Sequence, residues 1–153
     1  MLLNVSGGGT TLTLALLLGK HLYFGHIGDS RLYFRSGSVE FRALTQDHSL
    51  VRRLVDLGQI SEEEAAHHPQ RNVLFRALGQ TDGFKVDLGH LPLTEPTQLL
   101  ICSDGLWSLV EESNLLEAIK SVPYGENTAE RLCELANEAG GTDNISIIFV
   151  EIR

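Results

Sequence analysis

Three aspartates stand where a carboxylate could do chemistry. Asp29 lies in Gly28-Asp29-Ser30-Arg31, Asp104 in Ser103-Asp104-Gly105-Leu106-Trp107, and Asp143 in Gly141-Thr142-Asp143-Asn144. Each borders an apolar, strand-like run. A strand end holds a side chain rigidly while leaving it open to solvent. Carboxylate oxygens are hard ligands that suit Mg or Mn, so several of them gathered at one sheet edge would make a divalent-cation centre. The same pattern also suits turns alone, because Asp beside Gly bonds its own local backbone. Spacing does not show that the three converge, and both readings stay open at this level.

The elements that must position these residues can be read from periodicity. Leu12–Leu18, Leu22–Ile27, Arg31–Arg35 and Val39–Leu44 are strand-like runs separated by short turn signals, which predicts an antiparallel meander. Ser49–Gly58 carries a helical apolar stripe, Leu50, Val51, Leu54, Val55 and Leu57, with Gly58 as its stop. Ser61-Glu62-Glu63-Glu64 is a capping-box signature for a short helix that ends before Pro69. Val73–Leu78 and Phe84–Leu91 read as strands, and Gln98–Ser103 as a strand buried on both faces. Helices are expected over Ser113–Ser121 and from about Thr128 to Ala139, the second capped by Asn127 and ended by Gly140-Gly141; a strand over Ile145–Ile152 closes the chain. Two groups of strands with helices between them give an α+β fold, two packed antiparallel β-sheets with flanking helices, in a single domain over 1–153.

Composition narrows the function. With 12 Lys and Arg against 20 Asp and Glu, the formal charge of −8 argues against nucleic acid and anionic membrane as partners. Cys102 and Cys133 lack metal-ligand spacing and read as buried reduced thiols, which suits a cytoplasmic protein. Leu12–Leu18 is too short to span a membrane and lacks a basic leader. Gly7-Gly8-Gly9-Thr10-Thr11 lacks the Lys-Ser/Thr ending of a nucleotide-binding loop. His67 and His68 are adjacent on a helix, so they point apart and read as helix-end packing rather than joint ligands. Trp107 follows a buried strand and reads as core. Arg71 and Arg76 suit phosphate or salt bridges equally.

Taken in order, five segments resemble the motifs of type 2C, metal-dependent serine/threonine protein phosphatases. They are Gly9-Thr10-Thr11, Gly28-Asp29-Ser30-Arg31, Leu44-Thr45-Gln46-Asp47-His48, Ser103-Asp104-Gly105-Leu106-Trp107 and Gly141-Thr142-Asp143-Asn144. His68-Pro69-Gln70-Arg71-Asn72 and Arg76-Ala77-Leu78-Gly79 resemble the bacterial branch. The resemblance implies an α-β-β-α sandwich with a Mg or Mn centre at one end. It also implies a metal-bound hydroxide that attacks the phosphorus of phosphoserine or phosphothreonine. Asp104 and Asp143 match ligands of the central site, Asp29 matches a ligand of an additional, weaker metal, and residues 49–70 match a flap subdomain. Asp47 and His48 are expected to support structure. The implied partner is a phosphorylated protein, the product of a serine/threonine kinase.

Two departures shape the expectation. Ser108 stands where an acid or amide often completes the additional metal site. Family domains also carry, before the Gly-Thr-Thr motif, a phosphate-binding Arg, an acidic ligand and an Asp-Gly-x-Gly-Gly-His-like element with the candidate general acid. Only Met1 to Gly8 precede that motif here. The expectation is therefore an N-terminally truncated phosphatase domain with no catalytic residue beyond its metal ligands and little activity alone. It is also expected to self-associate through exposed sheet edges such as Leu12–Leu18. The alternatives are a non-catalytic protein-binding module, or a split half that needs complementation.

Overall fold

The computed structural model describes residues 8–37, 39–80, 85–123 and 126–153. Strands β1 (Leu12–Leu18), β2 (His21–Ile27) and β5 (Asp87–Pro92) form one antiparallel sheet in the order β1-β2-β5. Strands β3 (Arg31–Ser36), β4 (Val39–Ala43), β6 (Thr97–Cys102) and β7 (Ile147–Ile152) form a second, in the order β4-β3-β6-β7. The fold is α+β, with the helices expected from periodicity in place. These are α1 (Leu50–Asp56), α2 (Glu62–Ala66), α4 (Glu112–Ser121) and α5 (Thr128–Glu138), together with a short α3 (Asp104–Trp107).

The caps explain where these helices begin. Ser49 accepts from the Arg52 amide, Ser61 and Glu64 form the reciprocal capping box, and Asn127 accepts from the Glu130 amide. Each satisfies a backbone donor that the first turn leaves without a partner.

The first four strands do not form the expected meander. After β2 the chain leaves its sheet through Gly28-Asp29-Ser30 and enters the other, where β3 pairs with β6 in the register Arg31 to Cys102. The reason lies in what the strands bury. Leu22 and Phe24 of β2 meet Leu32 and Phe34 of β3 face to face, with Leu93, Leu99 and Ile101, in the core between the sheets. Edge pairing of β2 with β3 would have left those apolar faces side by side and unburied. Val73–Leu78 is likewise no strand of either sheet. It forms single bridges, Leu74 with Ser49 and Leu78 with Thr10, that seam α1 to the chain start. Of the expected strand Phe84–Leu91, Phe84 lies outside the described residues, and β5 begins at Asp87.

The strand β6 is buried on both faces, as its unbroken apolar run predicts. Leu99 faces the inter-sheet core, while Leu100 and Cys102 face Leu106, Leu115, Ile119, Leu132 and Ala136 of the helical layer. The outer face of the three-stranded sheet is different. Leu12, Leu14, Leu16, Leu18 and Tyr23 are exposed there, and Leu88 is 82% exposed. Leu100→Ala is expected to cost about 2–5 kcal/mol in urea unfolding. Leu88→Ala should stay within about 0.5 kcal/mol, since it empties no packed space.

Candidate metal centre

Asp29 sits on the crossover between the sheets. Gly28 has φ +113, and a Cβ there would lie 2.3 Å from Thr11 Cγ2, so only glycine fits the turn. His48 grips Gly28 twice: its backbone N–H donates to the Gly28 carbonyl at 2.7 Å, and its Nδ1 accepts the Gly28 N–H at 3.1 Å. That leaves His48 Nε2 to donate to Asp87 at 3.0 Å, which fixes the tautomer. On the far side, the Trp107 indole N–H donates to the Asp29 carbonyl at 3.0 Å.

Asp104 opens α3, directly after β6. The start of α3 abuts the turn that carries Asp143. A Cβ on Gly105 would lie 2.3 Å from the Asn144 carbonyl oxygen, so glycine is what permits the approach. Ser103 closes the same junction. Its hydroxyl donates to the Asn144 carbonyl at 3.2 Å and accepts from the Ser146 amide at 3.0 Å. Asp143 accepts the Asn144 N–H at 2.7 Å and is exposed.

The electrostatics record the convergence. Burial, then the nearby Asp104, pushes the Asp29 carboxyl up to about 6. Burial, then Asp143, pushes Asp104 above the usual carboxylate range. Asp104 is thus a neighbour of both: its charge acts on Asp29, and the charge of Asp143 acts on it. A cavity of about 500 Å³ opens beside it, lined by Thr10, Thr11, Asp29, Ser30, Asn72 and Asp104 among others. Its side-chain donors are all oxygen or amide, which suits Mg or Mn rather than a thiophilic metal. Among the described residues, no group of three or more His, Cys, Asp or Glu side chains could hold a metal ion together. The carboxylates come as two neighbouring pairs, Asp29 with Asp104 and Asp104 with Asp143, and a cation held by either pair would complete its shell with water, as Mg commonly does.

The surrounding residues sort themselves. Asp47 is buried and takes a bidentate pair from Arg31 at 2.9 and 2.7 Å. His48 is buried and holds the Asp29 turn, so both residues support structure, and His48 does so at the site. His67 and His68 serve separate backbone partners, the Glu63 carbonyl and the Gln70 amide. Arg76 pairs with Asp87 at 3.2 Å. Trp107 packs at the edge of the helical core but is only half-buried, because one side reaches the Asp29 turn. Sequence reasoning gave no role to Ser30, Asn72 or the buried His26. The Gly9-Thr10-Thr11 and Arg71-Asn72 motifs were the available signals for the cavity wall.

A sequence profile of protein phosphatase 2C matches residues 3–139. The chain belongs to the protein phosphatase 2C family. The serine/threonine phosphatase stp of Listeria innocua is 40% identical over 149 residues, covering 97% of this chain and 59% of that protein. A serine/threonine phosphatase structure from S. agalactiae superposes with a TM-score of 0.87 at 37% identity, covering 94% of this chain and 59% of that one. The catalytic domain of the serine/threonine protein phosphatase PstP, solved in complex with two manganese ions, superposes with a TM-score of 0.83 at 36% identity, covering 97% of this chain and 61% of that one. The chain thus spans 59% of the length of curated relatives such as the Listeria phosphatase.

In metal-free solution the folded state binds the Asp29 proton more tightly than the unfolded state. Its contribution to stability is therefore lost as pH rises from about 4 to above 6. Asp29→Asn should match wild type in melting temperature near pH 4 in EDTA. The variant should then exceed wild type by a few degrees above pH 6. A pH-independent difference in thermal melts would show that Asp29 carries no such strain.

Proposed function

We propose that the chain is the metal-site part of a protein serine/threonine phosphatase that hydrolyses phosphoserine and phosphothreonine. One observation carries the reading: Asp104 acts on Asp29 and is acted on by Asp143, beside a cavity whose polar wall is hydroxyl, carboxylate and amide. Asp104 and Asp143 would hold a Mg or Mn ion of the central site. Asp29 with Asp104 would hold a weaker additional one, since Ser108 offers only a hydroxyl one turn along α3. Bound cations would supply a hydroxide nucleophile near neutral pH and offset the charge on the transferring phosphoryl group. Thr10, Thr11 and Ser30 present hydroxyls, and Asn72 an amide, to orient a phosphate at the cavity wall. The helices α1 and α2, within 49–70, form the flap that shapes access. The substrates are phosphorylated proteins, the products of serine/threonine kinases, a class the phosphatase names of the relatives support. No helix among the described residues is long and apolar enough to cross a membrane. Cys102 is buried as expected while Cys133 is only half-buried; both are free thiols, which suits the cytoplasm, and burial pushes the Cys102 thiol up to about 12.

The open side of the site limits activity. Asp143 is exposed and Asp104 only partly buried, so a cation there keeps much of its water and binds weakly. The chain alone turns over slowly or not at all, and a second polypeptide that adds ligands would raise the rate. The test is Mn²⁺ titration of the purified chain, followed by the fluorescence of its single tryptophan, alongside p-nitrophenyl phosphate hydrolysis. Asp104→Asn and Asp143→Asn should each abolish the Mn²⁺ response. A response that survives both substitutions overturns the metal centre. Turnover above about 1 s⁻¹, the low end of ordinary enzyme rates, overturns the claim of weak activity.

Leu12, Leu14, Leu16 and Leu18 of β1 and Leu88 of β5 lie on one sheet face, and β1 is an edge strand. Such a face favours association between copies. Light scattering at micromolar concentration should report a dimer or larger species. Leu14→Lys with Leu16→Lys should convert it to monomer, and a monomeric wild type sinks the idea.

A further inference from the structure

Trp107 is the only tryptophan of the chain, and the metal-centre reading leaves it without a task. It is the last residue of α3, whose first residue is Asp104. Its indole N–H donates to the Asp29 carbonyl at 3.0 Å. One short helix therefore carries one carboxylate at its start and holds the backbone of another at its end. The indole is itself held on its face. The Arg31 guanidinium lies 3.6 Å from the ring centroid and is locked by its bidentate pair to the buried Asp47. A cation stacked on an aromatic face and anchored on a carboxylate leaves the ring little freedom to turn.

Asp29 and Asp104 repel each other when no cation lies between them. An untethered turn would back away, and a cation would then spend binding energy drawing the carboxylates together. A tether already in place removes that cost. We propose that Trp107 is a positioning residue for the cation site: its indole N–H sets the separation of Asp29 and Asp104, and thereby the affinity of the pair for Mn²⁺. This rests on the reading of Asp29 and Asp104 as cation ligands.

Trp107 as core filler and Trp107 as tether make opposite rankings of two variants. Trp107→Phe keeps a large apolar ring and loses the donor. Trp107→His loses the six-membered ring but keeps a nitrogen at the position of Nε1 in the five-membered ring. A filler ranks Phe above His in every property. A tether ranks His above Phe in cation affinity, even where the metal-free melting temperature ranks them the other way.

The experiment measures free Mn²⁺ by electron paramagnetic resonance at pH 8, where an ordinary imidazole is neutral, with thermal melts in EDTA. W107F should bind Mn²⁺ about fivefold more weakly than wild type, the loss of one hydrogen bond of ordinary strength. W107H should bind close to wild type and melt below W107F. Equal affinity in wild type and W107F, or W107H no tighter than W107F, overturns the proposal. Where a variant does not fold, 3-benzothienylalanine at position 107 replaces the N–H by sulfur in a ring of nearly the same shape. An unchanged affinity then overturns the proposal equally. A wild-type chain that binds no Mn²⁺ overturns the metal centre itself, whereas equal affinities in wild type and W107F remove only the tether.

Discussion

Like charges held together by the fold are the constraint on which the rest of this structure depends. Asp104 is the common neighbour of Asp29 and Asp143, and without a cation nothing in that trio neutralises another. Partial burial makes the repulsion worse, because it removes the water that would screen it. The cost must be met by the elements that carry the three residues. Two features meet it: a turn that only glycine can make at position 28, and a helix start that only glycine can bring up to Asn144.

The bracing around the site follows from that cost. His48 holds Gly28 through its ring and its backbone, and is itself anchored on Asp87 of β5. His26 lies beside it, with ring centroids 4.9 Å apart, its Nε2 against the Gln46 carbonyl. Burial, then His48, holds the His26 imidazole below its ordinary value, so the pair adds no second like-charge problem. Arg31 brings the compensating positive charge, but its bidentate pair with Asp47 and its seat on Trp107 commit it to scaffolding. A guanidinium so occupied is not available to a phosphate.

Much of this was legible in the residues, and the exceptions have a common cause. The capping box at Ser61 and Glu64, the Asn127 cap and the doubly buried β6 depend on neighbours in sequence, and the sequence states them. The aspartates could be named from their turns, and the resemblance assigned them to one site. The jump between sheets at residues 28–30 was not legible, because face-to-face burial of Leu22 and Phe24 against Leu32 and Phe34 is a long-range choice. Val73–Leu78 has strand composition but finds only single-residue bridges on either side. The contact of Trp107 with Asp29 spans 78 residues and has no sequence period to reveal it.

The leucine wall on the outer face of the three-stranded sheet has a calorimetric consequence. Leu12, Leu14, Leu16, Leu18 and Leu88 already meet solvent in the native state, so unfolding a single copy hydrates less new hydrocarbon than is usual for its size. The heat-capacity increment and the steepness of denaturant unfolding both scale with that change. Taken one copy at a time, the fold therefore has a flatter stability curve and a broader transition than its length suggests. Whatever covers the wall would restore the ordinary cooperativity.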